Sequence, residues 1–328
     1  MKKKIPRATD LGGDAGGEPN PAQSPGSAAD AVPDHVQIQT ITGCNGACIF
    51  CPNGKTRRKI PLGQRMAPDL FHSIVDQCLE LGIRRYSVYL MNEPMLDQDL
   101  PRRVAYISTR IQKPQYVKVT SHGGLLTESM AKGLLDAGLD KLKISVQSLN
   151  PETYRNIMGL RLDRTLQNID RFLEIKQRGG YKLPRMEIVM VDSVQTRDEI
   201  ADIRRYWHQR GIKLYVEPVE NRADQAGIRK TAVGAEKLRA FSWCRRLMEQ
   251  IYILYDGRMV QCCADWEQQS IMGDLRTERL ADVWYGPRYR QYRRRFAAGD
   301  VHGMICEDCR KQRPQHKKSL REEVPKVR

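Results

Sequence analysis

From about residue 36 the chain alternates short β-branched or aromatic runs with longer stretches in which apolar side chains recur every three or four positions. The short runs predict strands over Val36–Ile41, Tyr86–Met91, Tyr116–Thr120, Lys141–Val146, Met186–Val191 and Lys213–Val216. Between the first two, Leu70, Ile74 and Cys78 fall on one helical face with Phe71 and Val75 beside them. Further helices are predicted over Asp97–Gln112, Glu128–Ala137, Arg164–Gln177 and Arg197–Gln209, several of them followed by a stopping glycine. Strands that alternate with helices in this way form right-handed βαβ units around a parallel sheet. Six units fall short of an eight-fold barrel. The predicted fold class is therefore α/β, an open or partial (β/α)6 barrel whose ligands collect at the carboxyl ends of the strands.

Past residue 220 the pattern changes. Residues 221–243 carry mixed charge and weak periodicity and read as a linker. Ile251–Tyr255, Asp256-Gly257 and Arg258–Cys262 then read as a hairpin, because Asp-Gly supplies the positive φ angles of a tight turn. Helical stretches follow at Leu280–Tyr285 and Arg288–Ala297. The expected organisation is a disordered segment over 1–34, a barrel over 35–220, the linker, a small α+β hairpin-and-helix domain over 244–312, and a basic tail over 313–328. The disorder is expected because residues 8–34 hold five Gly, four Pro and almost no bulky apolar side chain, too little to offset the entropy of ordering.

Composition narrows the setting. No run reaches the roughly 18 to 20 apolar residues of a membrane helix, and Lys2–Lys4 lead into Gly12-Gly13-Asp14 rather than an apolar stretch, so neither secretion nor membrane spanning is expected. Nine cysteines in a chain without an export signal argue against a disulfide framework and need another role. The formal charge is +16, and residues 286–328 contribute thirteen basic against five acidic side chains. The run RYRQYRRRF from Arg288 mixes arginine with aromatics, which suits phosphate or RNA but equally a solvated helix face. A basic excess facing the open end of the barrel would favour an anionic small substrate.

Cys44, Cys48 and Cys51 form CxxxCxxC just after the first predicted strand. Spacings of four and three let a looping backbone aim three thiolates at one point, and soft thiolates suit zinc or an iron-sulfur cluster. A closed structural zinc site takes four ligands, so a triplet points to a metal centre with one position left for a ligand.

At these residues, with Phe50 before the third cysteine, the sequence resembles the radical S-adenosylmethionine (SAM) superfamily. The resemblance implies a [4Fe-4S] cluster on Cys44, Cys48 and Cys51, whose open iron chelates SAM. Reductive cleavage of SAM would yield a 5′-deoxyadenosyl radical that abstracts a substrate hydrogen atom. Asn92-Glu93-Pro94 is similar to the family's Gly-Gly-Glu-Pro element, which implies that Glu93 accepts a hydrogen bond from the methionyl ammonium, although Asn92 replaces a glycine. Thr120-Ser121-His122-Gly123-Gly124 stands where the family has a Thr-Asn-Gly turn. Ser145 and Gln147 sit where relatives hold the ribose hydroxyls or the carboxylate.

The second group is Cys244, Cys262, Cys263, Cys306 and Cys309, a terminal CxxC with distant thiols, which by count makes a four-ligand site open to zinc or iron-sulfur. With Asp256-Gly257, Gly273-Asp274-Leu275 and Leu280-Ala281-Asp282-Val283-Trp284 it resembles the SPASM and shortened twitch extensions of radical SAM enzymes. That implies one auxiliary [4Fe-4S] cluster on Cys244, Cys262, Cys306 and Cys309. Cys263 is a rival ligand to Cys262, a hydrogen-atom donor to a substrate radical, or a small buried side chain on the far strand face. Cys78 belongs to the core.

The function expected is radical SAM oxidation or epimerisation of a small polar substrate, such as a sugar, aminocyclitol or nucleoside-like molecule. A flavodoxin- or ferredoxin-type electron donor and the reducing cytosol would go with it. A peptide-modifying SPASM maturase and a zinc-stabilised nucleic-acid-binding module are the alternatives.

Overall fold

The computed structural model describes residues 31–57, 60–220, 222–224 and 243–310. The predicted linker and tail, and residues 1–30 of the predicted disordered segment, lie largely outside these. Residues 31–34 belong to the folded body instead: Asp34 N–H donates to Glu249 O at 2.9 Å, and its carboxylate pairs with Arg84 at 2.6 Å and Arg85 at 2.7 Å.

The alternation predicted for the barrel is present as β1 His35–Ile38, α1 Pro68–Glu80, β2 Arg85–Ser87, α2 Leu100–Ser108, β3 Tyr116–Ser121, α3 Glu128–Asp136, β4 Lys141–Ser145, α4 Pro151–Met158, α5 Leu162–Arg178, β5 Arg185–Asp192, α6 Ile200–Gln209 and β6 Lys213–Pro218. Neighbouring strands from β1 to β6 all pair in parallel. Alternate residues set the two faces of this sheet. Val36, Ile38, Tyr86, Val88, Val117, Val119, Leu142, Ile144, Ile188 and Met190 turn to the helices and join Phe71, Ile74, Val75 and Cys78 of α1 in one core, as predicted for Cys78. Each such side chain taken from water contributes about 1.5 to 3 kcal/mol.

Apart from Val189, the residues between them are polar. His35 bonds Ser87 at 2.6 Å, Lys143 stands 3.8 Å from Glu187, and its ammonium lies 4.9 Å over the Tyr215 ring. The concave face thus carries charged side chains, and the main apolar core lies on the helical side.

The predicted β1 and β2 extend too far, because β1 ends at Ile38 and β2 at Ser87, and residues 39–41 and 88–91 lead into the loops at the strand ends. Helix α4 was not foreseen. Its eight residues are too few for a clear period, and it is fixed by Asn150, whose Oδ1 accepts from Glu152 N at 2.9 Å and Thr153 N at 3.0 Å, with Pro151 at its first position.

The C-terminal region contains α7 Arg245–Glu249, β7 Gln250–Ile253, β8 Arg258–Val260, β9 Ile271–Asp274, α8 Leu280–Trp284, α9 Pro287–Ala297 and α10 Cys306–Arg310. The predicted hairpin is β7–β8, turned at Gly257 with φ 87°. Strand β7 pairs in parallel with β1, so the sheet runs β6-β5-β4-β3-β2-β1-β7-β8-β9 and stays open. The small region therefore extends the barrel's own sheet.

The arginine-rich run proves amphipathic. Arg293 is fully buried with its guanidinium 3.8 Å from the Trp284 ring centroid and 4.9 Å from that of Tyr289, and it donates to the carbonyls of Leu247 and Trp284. Among the described residues no helix is long and apolar enough to cross a membrane.

Candidate cluster sites

The loop after β1 is sewn down at both ends. At its start, Glu93 N–H donates to Gly43 O at 2.9 Å, and Gly43 carries φ 94°, a conformation open to glycine. At its far end, Ala47 N–H donates to Met158 O at 2.8 Å and Ile49 N–H to Ile157 O at 2.9 Å, so the loop docks on the last turn of α4. Gly159 closes that helix at φ 67°, and a Cβ there would stand 2.8 Å from Ala47 Cβ. Cys51 N–H returns to Cys48 O at 3.1 Å, and Lys55 Nζ binds the carbonyls of Cys48 and Ile49.

This backbone brings Cys44, Cys48 and Cys51 together. Burial pushes the Cys44 thiol up to about 12, against the Gly46 N–H that reaches its sulfur at 3.3 Å, and with Glu93 and Cys51 adding repulsion. Burial likewise pushes Cys48 up to about 12, helped by Cys51 and Cys44. Two neighbouring thiols that resist ionising, with Cys51 beside them, suit a cationic group that stabilises their thiolates. Among the described residues no three His, Cys, Asp or Glu converge on a single ion. A cube with one thiolate per iron spreads its ligands more widely, so the donor set fits a cluster. Phe50 is half-buried against the core beside them.

Glu93 lies over the same spot and is 2% exposed. Its Oε1 accepts from Ser121 Oγ at 2.7 Å and Met95 N at 3.0 Å, and its Oε2 from His122 N at 3.0 Å. Asn92 does the work of the missing glycine by capping its own turn, with Oδ1 accepting from Leu90 N at 3.0 Å. Among the described residues, Asn92 Nδ2 and Thr120 Oγ1 are buried with no partner, two polar atoms open to a ligand. Ser145 is half-buried at the end of β4. Gln147 serves the scaffold: its Oε1 accepts from Val191 N at 2.7 Å, tying it to β5.

The second cysteine group assembles from three places. Cys244 precedes α7, Cys262 and Cys263 follow β8, and Cys306 and Cys309 lie on α10. Gln261 Nε2 approaches Cys306 Sγ at 2.9 Å. Cys262 packs with Ala223, Ala264 and with Ile305, the neighbour of Cys306 in the chain, and it also touches the cluster that holds Cys263. Cys263 packs with Leu90, Met91, Tyr252, Leu254 and Val260, toward the end of β2 that carries Glu93. The strand-alternation reading of Cys263 is thereby replaced, because β8 ends at Val260 and both cysteines occupy the turn beyond it.

A hydrogen bond from Cys262 pulls the Cys263 thiol down to about 6 against its burial, with Arg246 and Arg222 assisting. No disulfide joins the described cysteines.

Sequence reading missed Glu220, Arg222 and Arg246. Arg246 pairs with Glu220, and Arg222 Nε stands 3.5 Å from the same carboxylate. Burial opposes the charge on Arg222 and is outweighed by Glu220, with Cys263 and Cys51 adding to it. Cys263, in contact with Leu90 and Met91, brings the second group to the strand end that leads into Glu93. Arg222 and Ala223 carry φ 48° and 52°, a cost tolerated where a side chain must be aimed.

Comparison with known proteins agrees with this geometry. A family model described as the radical SAM superfamily matches residues 38–206, and the chain belongs to that superfamily. It is a radical SAM enzyme with a C-terminal iron-sulfur cluster-binding domain of the SPASM type, matched over residues 244–310. Enzymes of this kind use SAM with a [4Fe-4S] cluster, and the second domain adds further iron-sulfur ligation. An iron-sulfur reading accordingly replaces the zinc-stabilised nucleic-acid module.

Among curated relatives, a GTP 3′,8-cyclase of Aquifex aeolicus is 29% identical over 182 residues, covering 55% of this chain and 54% of that protein. A probable GTP 3′,8-cyclase of Methanosarcina mazei is 27% identical over 186 residues, covering 56% and 54%. The chain spans about half the length of these relatives. Among solved structures, BtrN in complex with AdoMet and 2-DOIA superposes with TM-score 0.55 at 17% identity, covering 85% of this chain and 92% of that one. Streptococcus suis SuiB bound to precursor peptide SuiA superposes with TM-score 0.67 at 17% identity, covering 81% and 68%. At that identity the likeness is one of fold.

Proposed function

We propose that this enzyme takes a hydrogen atom from a small, anionic, polar molecule, nucleotide- or sugar-like, held between two clusters. In this reading Cys44, Cys48 and Cys51 hold the [4Fe-4S] cluster that binds SAM, and Cys244, Cys262, Cys306 and Cys309 hold an auxiliary [4Fe-4S] cluster. When bound, these groups supply a 5′-deoxyadenosyl radical that removes the hydrogen atom, and an acceptor for the electron that an oxidised substrate gives up.

The observation that carries the reading is the packing of Cys263 against Leu90 and Met91, which brings the second cysteine group to the strand end that leads into Glu93. Glu93 receives the methionyl ammonium of SAM, and Ser145 lines the same strand ends. Arg222 and Arg246 gather around one carboxylate, Glu220, and their guanidiniums are suited to orient an anionic group of the substrate. The charged concave face and the nucleotide in the relatives' name point the same way. The reducing cytosol and a flavodoxin- or ferredoxin-type donor suit such clusters.

The test is anaerobic reconstitution, which should give roughly eight irons per chain and 5′-deoxyadenosine from SAM under dithionite. Absence of iron would end the proposal. Deuterium passing from a labelled substrate into 5′-deoxyadenosine identifies the substrate. Cys263, packed beside Leu90 and Met91, favours one second reading, epimerisation, in which its thiol returns a hydrogen atom to the substrate radical. Solvent deuterium in an otherwise unoxidised product would establish that reading.

A further inference from the structure

His122 lies in the Thr-Ser-His-Gly-Gly turn after β3 and is buried, and its ring nitrogens meet Gly124, Asn45 and Glu93. Gly124 N–H donates to its Nδ1 at 2.9 Å. That nitrogen is therefore the acceptor, and the ring proton sits on Nε2. Nε2 lies 2.8 Å from Asn45 Oδ1 and 3.2 Å from Glu93 Oε2, so one N–H faces two acceptors. Asn45 stands between Cys44 and Cys48, in the middle of the cysteine loop. Glu93 stands on the other side, at the end of β2.

The loop itself has backbone anchors at Gly43 and at Ala47 and Ile49. Within its segment from Cys44 to Gly46, Gly46 N–H reaches the Cys44 sulfur and Asn45 bonds His122. The imidazole is thus a side-chain brace across the gap between cysteine loop and carboxylate.

We propose that His122 is a positioning residue for SAM: its Nε2–H fixes the distance between the Cys44–Cys48 arc and Glu93, so that the open iron and the ammonium acceptor meet one ligand together. This rests on the reading of Cys44, Cys48 and Cys51 as the cluster ligands, and it adds a residue that makes no bond to metal. The two ring nitrogens have separable duties, because asparagine can reproduce the Nδ1 acceptor for Gly124 and glutamine the Nε2 donor for Asn45 and Glu93.

The test uses the reconstituted full chain with His122→Asn, His122→Gln and Asn45→Ala, the last an exposed side chain that approaches the same bond from the other end. Iron content, the SAM dissociation constant by equilibrium dialysis, and the change that SAM produces in the electron paramagnetic resonance of the reduced cluster are read together. His122→Asn and Asn45→Ala should keep wild-type iron, bind SAM about tenfold more weakly, and recover the spectral change when SAM is raised. His122→Gln should bind SAM close to wild type, and the double variant should be no worse than either single.

Wild-type SAM affinity in His122→Asn overturns the proposal. So does a His122→Gln variant as weak as His122→Asn, which would place the role in the turn. A wild-type protein that takes up no iron would instead overturn the ligand assignment, and the two failures are therefore distinct.

Discussion

The three cysteines after β1 occupy eight consecutive positions, and backbone hydrogen bonds to Gly43, Ile157 and Met158 shape the loop that holds them. The four candidate ligands of the second group come from three separate stretches between Cys244 and Cys309, brought together by the β7–β8 hairpin and α10. The first site is local chain geometry resting on a finished barrel. The second exists only once β7 has paired with β1 and α9 has packed over the hairpin. Damage to the first should therefore stay local, and damage to the second should spread into stability.

The widest separation of the two sites comes from Cys48→Ala. Removing one of three ligands from the local site should abolish 5′-deoxyadenosine formation while roughly four irons remain at the auxiliary site. Iron analysis beside product assay checks this. An active Cys48→Ala protein would remove the distinction between the groups altogether.

Next comes the pair Cys262→Ser and Cys263→Ser. Cys262 packs against both Ile305 and the Leu90 and Met91 cluster, whereas Cys263 is a member of the Leu90 and Met91 cluster. Cys262→Ser should lose roughly half the iron, and Cys263→Ser should keep it while altering turnover. The reverse pattern would assign ligation to Cys263.

How much of this was legible differs between the groups for the same reason. CxxxCxxC, Glu93 and the strand order are sequence-near features, and the parallel sheet followed from counting alternations. Gln147 was read as a SAM contact, yet a strand-end glutamine is equally able to continue the neighbouring ladder, as it does with Val191. Arg222 and Arg246 carried no readable signal, because a charged residue in a poorly periodic stretch looks solvated until the fold places Glu220 beside it. His122 had one weak signal, its place within a turn already singled out. Arg293 was read with its exposed neighbours, and only helix phase separates it from Arg294 and Arg295: it shares a face with Tyr289 and Phe296.

A smaller effect probes the docking of the first loop. Gly159→Ala places a side chain at φ 67° and 2.8 Å from Ala47 Cβ. The strain costs about 1 to 2 kcal/mol, and relief is available by lifting Ala47 from Met158. Thermal stability should fall by that amount, and iron loading at the first site should fall with it while the auxiliary site loads normally. Equal losses at both sites would show that the loop is less independent than its hydrogen bonds indicate.

The smallest expected effect concerns pH and the helix beneath that loop. Tyr154 on α4 is fully buried, and burial pushes its phenol up to about 12, against the Thr165 hydroxyl bonded at 3.1 Å. The unfolded chain ionises this group near 10, so the folded state holds its proton longer. Stability from Tyr154 is complete below pH 10 and is lost as pH rises toward 12, by about 1.4 kcal/mol at pH 11. Tyr154→Phe removes the ionisation and should flatten that part of the alkaline melting curve, at the cost of the bond to Thr165. Tyr289, which donates to Val260 O beside the second group, is also raised by burial and loses stability over the same alkaline range. Tyr154→Phe should therefore protect the first cluster's loading at high pH and leave the auxiliary site's alkaline loss unchanged. A variant that protects both sites equally would mean that α4 supports the whole sheet, and the contrast between a local and an assembled site would give way to one shared scaffold.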